Sequence, residues 1–232
     1  MLHAQSGHTA WTADEVLPRH LRRLAVKLDT HFHVSRAPHQ RVYYKQRGEA
    51  SVHLVALPED GHVRWVLMST RGRHGLLDRA ASMPGAVQDL RARGQHLRWR
   101  SYELFRMQKR YHQGGEVATD ETWSWRLGQD AYRAHEAMLV ERSRKHDRAA
   151  LVAHLETLRA MPMFAGVRAQ VARLEWESRK LWRKFHPNSE PLAPQSTLPI
   201  MTRLPIYGTP AMTLLDLAAR HEAERPPAGL PS

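Results

Sequence analysis

The sequence predicts an α+β fold: an antiparallel sheet of about five strands packed against C-terminal helices, with a helix before the sheet and an extended Pro-rich C-terminal segment. Three observations carry that prediction. Segments rich in β-branched and aromatic residues fill the stretch from Arg41 to Leu127, and two of them are joined by Pro58-Glu59-Asp60-Gly61, whose Asp-Gly pair favours a tight hairpin. From Asp130 onward, apolar residues recur every three or four positions, the period of an amphipathic helix. Six prolines between Pro187 and Pro210 then forbid regular structure, because each fixes φ and removes a backbone donor.

In chain order, Val16, Leu17, Leu21, Leu24 and Leu28 predict a helix over 14–28, with basic Arg19, Arg22, Arg23 and Lys27 interspersed. A turn at Ala37-Pro38 ends it. Strands are expected over 41–46, 51–57 and 63–70, followed by the loop Ser69 to Gly75 and a helix over 76–92 interrupted near Pro84-Gly85. Two further strands, 97–107 and 122–127, flank a polar loop containing Gly114-Gly115. Three helices follow: one to about Lys145, one carrying Leu151, Leu155 and Leu158, and one striped by Val167, Val171, Leu174, Leu181 and Phe185. Thr209-Pro210 offers an N-cap and a first-turn proline for a last helix to about Glu224. The expected organisation is thus 1–129 for the first helix and sheet, 130–186 for helices packed on that sheet, and 187–232 for the extended segment and final helix.

With 232 residues and 42% hydrophobic content, the chain has enough apolar material for a core without disulfides. It has no Cys, which excludes thiolate metal sites and fits a reducing compartment. The first residues lack a basic segment followed by an apolar run, and no stretch approaches the roughly 18 apolar residues of a membrane span. These features predict a cytoplasmic protein that does not enter a membrane.

Charge is the most directive property. The net charge is +12 and the sequence pI about 10.6, and between His62 and Arg110 eleven Lys and Arg residues stand against Asp78, Asp89 and Glu103. Such an excess steers encounters with a polyanion. Alternation along strands predicts that Arg64, Arg98, Arg100, Arg106 and Arg126 share an open sheet face, with Trp65, Trp99, Trp123 and Trp125 turned inward. The loop Ser69-Thr70-Arg71-Gly72-Arg73-His74-Gly75 has the hydroxyls, guanidiniums and glycine-flanked amides that suit phosphates. A second basic cluster, Arg179, Lys180, Arg183 and Lys184 around Trp182, closes the third C-terminal helix.

Catalytic signatures are weaker. His31-Phe32-His33 has the His-apolar-His form by which two imidazoles on one strand face hold a divalent cation, and Tyr43-Tyr44 stands nearby as a nucleophile for a relaxase-like alternative. The chain contains no P-loop, no HExxH and no G-x-S-x-G. No cofactor is expected.

The segments RWVLMSTRG, LRWRSYELFRM and TWSWRL, with a helix behind the last, resemble uncharacterised proteins carried by plasmids and integrative conjugative elements of proteobacteria, over roughly residues 40–185. That resemblance implies a setting, mobile DNA, and brings no functional residues with it. The sequence therefore points to a binding protein rather than an enzyme. Its partner would be nucleic acid, DNA or RNA, met through Arg64, Arg71, Arg73, Arg98, Arg100, Arg106, Arg126, Lys180, Arg183 and Lys184. A separate alternative is a protein-interaction scaffold, with residues 198–224, and Leu214, Leu215 and Leu217 in particular, meeting a protein partner.

Overall fold

A computed structural model describes residues 2–80, 86–113, 116–193, 197–200 and 213–223. Helices and antiparallel strands mix as expected, but the strands form two separate sheets instead of one of about five. Each sheet belongs to its own structural unit, one built from Leu2–Gln95 with the last helix and the other from His96 onward through the helical region. The division therefore falls inside the segment expected to be a single sheet.

The first unit opens with a short helix α1 (Leu2–Gln5) and strand β1 (Ala10–Val16), then the 3-10 turn Pro18–His20, helix α2 (Leu21–Phe32) and helix α3 (Pro38–Gln46). Strands β2 (Val52–Glu59), β3 (His62–Ser69) and β4 (Gln88–Asp89) complete a sheet ordered β2-β3-β1-β4. The expected helix over 14–28 is thus strand at its start. Pro18 resets the chain, and only Leu21, Leu24 and Leu28 are helical. The expected strand over 41–46 is helix α3: Pro38 occupies its first turn and the Ala37 N–H donates to Gln40 Oε1 at 2.9 Å. Local capping overrides the strand preference of Val42, Tyr43 and Tyr44 there. Over 76–92, residues 76–80 form turns and 88–89 form β4, while Pro84-Gly85 lie outside the described residues. Leu76 and Leu90 are both buried there, Leu76 within the core of the first unit.

One sheet face packs on α2. Leu28 and Phe32 meet Ala10, Val52, Trp65 and Leu67, while Leu21 and Ala25 meet Val63. Each such large side chain contributes about 1.5–3 kcal/mol on full burial. The last helix, α7 (Leu214–Ala223), joins the second cluster through Leu214 and Ala218, and Arg22 pairs with Glu222 at 2.7 Å. Its start is held by Thr213 and Asp216, each N–H donating to the other's side chain. Thr209-Pro210 lie outside the described residues. Of the leucines expected to meet a protein partner, Leu214 is buried, Leu217 packs beside it and only Leu215 is exposed.

The second unit holds β5 (Arg98–Trp99), β6 (Tyr102–Gln113) and β7 (Glu116–Leu127), then α4 (Gln129–Arg144), α5 (Arg148–Arg159) and α6 (Ala165–Phe185). The three helices fall where the periodicity predicts. Leu139, Leu151, Leu155, Leu158, Val171, Leu174 and Trp182 form their common core. Helix α6 also seals the free edge of β7: Leu127 N–H donates to Gln170 Oε1 at 2.7 Å, and Gln170 Nε2 donates to the Leu127 carbonyl at 3.1 Å. Gly166 lets α6 approach the sheet, since a Cβ there would come 2.6 Å from the Trp125 carbonyl and would clash with the Phe105 ring.

Three imidazoles gather in the first unit. His3 stacks on His53 with centroids 4.2 Å apart, His8 meets His53 edge-on at 4.7 Å, and Arg41 Nη1 donates to His53 Nδ1 at 3.0 Å. Burial, then the neighbouring His3 and other cations, push His8 down to about 4, and burial followed by His3 and Arg41 pushes His53 down to about 3. These groups fold neutral, so protonation favours the unfolded chain.

Two outcomes follow from this packing. Gly166→Ala should lower stability by about 1–3 kcal/mol in urea unfolding, through overpacking between α6 and the sheet. Stability should fall progressively as pH drops from about 6.5, where unfolded histidine titrates, towards 4. The cations paired with Glu15, Glu49, Glu141 and Glu222 hold those carboxyls below the usual range, so the imidazoles dominate the upper part of this window, and His53→Gln should shrink the decline when unfolding midpoints are compared.

Candidate nucleic-acid interface

The sheet arginines do not form one open face. Arg64 lies on β3 in the first unit, opposite Glu15 of β1, and the other four lie in the second unit. Arg64 Nη2 is 2.6 Å from Glu15 Oε1 and 3.7 Å from Glu59, and His62 Nε2 lies 3.5 Å and 3.4 Å from the same two carboxylates. The Arg64 hydrogen bond holds the Glu15 carboxyl below the usual range. This guanidinium already has its anions.

Within the second unit, every-other-residue spacing breaks at Arg100. Its φ of 51° turns the chain back between Trp99 and Tyr102, so Arg98 stands opposite Glu103 rather than continuing one strand towards Arg106. Cross-strand partners share a face. Register therefore puts Arg98, Glu103 and Arg126 on one side of the sheet and Arg106 with Trp123 on the other. Arg126 Nη2 bonds Glu103, a nearly buried carboxylate, at 2.7 Å, and its guanidinium lies 4.7 Å from the Phe105 ring centroid. Arg106 pairs with Glu121 at 3.2 Å. The expected separation of arginines from tryptophans does not hold.

The basic loop is a structural device. Ser69 is fully buried, and its Oγ accepts the Leu76 N–H at 3.0 Å. Thr70 Oγ1 accepts the Ser51 N–H at 2.9 Å, and the amides of Thr70, Arg73 and His74 all donate within the protein. Gly72, at φ 141°, would bring a Cβ within 2.7 Å of Ala50 N, which explains the glycine. Arg71 lies 3.5 Å from Asp89, and Arg73 Nη2 donates to the Arg47 carbonyl at 2.9 Å. The Ser69 and Thr70 hydroxyls and the amides of Thr70, Arg73, His74 and Gly75, expected to hold phosphate, are already committed.

Helix α6 is different. At 100° per residue, exposed Arg173, Trp176, Lys180, Arg183 and Lys184 fall on one side together with half-buried Glu177 at its edge, opposite buried Val167, Val171, Leu174, Ser178 and Trp182. Among the described residues no carboxylate lies within 4.0 Å of any of these four cations. Trp176 is half exposed, and Lys180 Nζ stands 4.2 Å from its ring centroid. Ala169 and Ala172 extend the same side with small residues. By contrast, a groove of about 650 Å³ beside α4 mixes Arg133, Arg144 and Lys145 with Glu136, Glu141 and Glu177 and presents no single sign. Lys180, Arg183 and Lys184 were legible in the sequence. Arg173 and Trp176 were missed, although their spacing of three, four and seven residues from Lys180 and from each other was visible.

The relaxase-like alternative loses its geometric premise. His31 sits in the last turn of α2 and His33 is its left-handed C-cap, so the pair does not lie on one strand face. Burial lowers the pKa of His33, and no group of three potential metal ligands occurs among the described residues. Tyr43 and Tyr44 are on α3, covered by Arg47 and Arg36 at 3.5 and 3.8 Å from their ring centroids.

Fold and site together define an α+β protein of two units, one of which carries a helix side whose four cations have no carboxylate within 4.0 Å among the described residues. Comparison with protein-family models, with curated proteins and with solved structures returned no match. No helix among the described residues is long and apolar enough to cross a membrane.

The ion pairing predicts unequal mutational costs. Arg126→Ala leaves the nearly buried Glu103 carboxylate without its guanidinium and should cost about 2–3 kcal/mol in denaturant unfolding. Arg106→Ala, removing an exposed pair, should cost less than about 1 kcal/mol.

Proposed function

We propose that this protein binds nucleic acid, chiefly through phosphates, using the solvent face of α6. The observation that carries the reading is a helix side bearing Arg173, Lys180, Arg183 and Lys184 with no carboxylate at ion-pairing distance. Cations already held by protein carboxylates must give up those partners to take a phosphate, whereas these four have no such carboxylate to give up. Trp176 adds a flat surface for stacking against an unpaired base, flanked by cations on the same side. Exposed Arg98, which stands opposite Glu103 in register, and the Arg100 turn are secondary contributors.

The resemblance to proteins of plasmids and conjugative elements adds the role: an accessory factor in the replication, transfer or regulation of mobile DNA. The net charge of +12 supports electrostatic steering towards such a partner.

Affinity for labelled duplex across a salt series tests this. Each phosphate contact contributes a slope of about 0.9 in log Kd against log salt, so the combined Arg173→Gln, Lys180→Gln and Lys184→Gln variant should lose about two to three. Combined Arg64→Gln and Arg106→Gln should change the slope by less than about one, because both side chains are already paired. An unchanged slope in the α6 variant would remove the proposal.

A further inference from the structure

A second helix presents the same arrangement in the other unit. Arg19, in the turn Pro18–His20, and Arg22, Arg23 and Lys27 of α2 recur at steps of one, three and four residues on its solvent side. Val26 and Thr30 fall on the same side, and Leu21, Ala25, Leu28 and Phe32 are buried opposite. Glu222 of α7 engages Arg22 at 2.7 Å. Arg19, Arg23 and Lys27 have no carboxylate within 4.0 Å among the described residues. Asp29, the acid within α2, is turned to the following loop, where its Oδ1 accepts the Ser35 N–H and hydroxyl at 2.9 and 2.6 Å.

From this we infer that α2 is a second nucleic-acid contact, so that each unit supplies its own cationic helix. The inference rests on the α6 reading only in sharing its ligand, the phosphate backbone. Arg19, Arg23 and Lys27 rise along the helix in steps of about 6 Å. Duplex DNA carries one charge per roughly 1.7 Å of axis, counting both strands, so a row of cations of this length runs beside several phosphates. Charge complementarity names the occupant, and the helix geometry favours nucleic acid over an anionic lipid surface. Membrane-surface helices bury an apolar face in the lipid. The apolar side of α2 is already in the protein core, leaving Leu17, Val26 and, on α7, Leu215 as scattered exposed apolar residues beside it.

The test uses the full chain and a labelled duplex of about 30 base pairs, long enough to span several turns of contact. The variant with Arg19→Gln, Arg23→Gln and Lys27→Gln should lower the salt slope by about two to three and weaken binding roughly tenfold, while circular dichroism and thermal midpoint stay unchanged. Arg22→Gln, which removes an already paired cation, should have a smaller effect. Should the triple variant misfold, Lys27→Gln alone should still lower the slope by about one. A wild-type slope in the α2 variant, with the α6 variant impaired, overturns this inference and leaves the α6 reading intact. Loss of slope in the α2 variant alone supports it and removes α6. Salt-insensitive binding of the unmodified protein overturns both. Loss of binding to phosphatidylserine vesicles with no change on duplex would assign α2 to lipid and also overturn it.

Discussion

Pairing between guanidinium and carboxylate decides which of this chain's many cations face outward with charge to offer. Unit charges about 4 Å apart attract by roughly 1 kcal/mol in water and about 4 kcal/mol near a protein surface, so a paired arginine resists exchange for an external phosphate. Strand register creates these pairs. It sets Arg64 opposite Glu15 and Arg126 opposite Glu103, and it brings Glu121 within reach of Arg106. The sheets thus absorb much of the positive charge that composition concentrates between His62 and Arg110.

A helix has fewer ways to do this. A residue on its solvent side meets mainly its own neighbours three and four positions away, and on α6 those are Ala169, Ala172, Trp176, other cations and one acid, Glu177, which makes no ion pair within 4.0 Å of them. Segregation there costs little, because the opposite stripe already buries Val171, Leu174 and Trp182 in the helical core. The same division of labour recurs in α2, whose inner side fastens the first sheet and whose outer side stays basic. Each unit therefore combines a charge-neutralising sheet with a helical flank on which most cations have no carboxylate within 4.0 Å among the described residues.

The sequence showed some of this directly. The three helices after Asp130 were legible because a 3.6-residue stripe runs through each, and the hairpin at Asp60-Gly61 was legible from its turn chemistry. Two errors mattered for the site. Glu15 was assigned to a helix beginning at residue 14, so its pairing with Arg64 across two strands was invisible until β1 was placed. Arg100 takes a left-handed conformation without glycine to announce it, and every parity inferred past that turn was inverted for Arg98 relative to Arg106. Alternation tells which neighbours in one strand share a side. It carries no information about whether two strands belong to one sheet, which is why the expected five-arginine plane dissolved into two units. The loop from Ser69 to Gly75 has the composition of a phosphate grip, yet its hydroxyls turn inward to hold Leu76 and Ser51, a choice made by long-range packing.

The central claim is that unpaired helical cations, rather than total charge, determine where a polyanion settles. Backbone amide NMR of the full chain titrated with a short duplex at moderate salt reads this most directly. The account predicts that the largest shift changes map to residues 173–184 of α6, with those of β5 to β7 small. Changes concentrated around Arg98, Arg106 and Arg126, with α6 undisturbed, would contradict it.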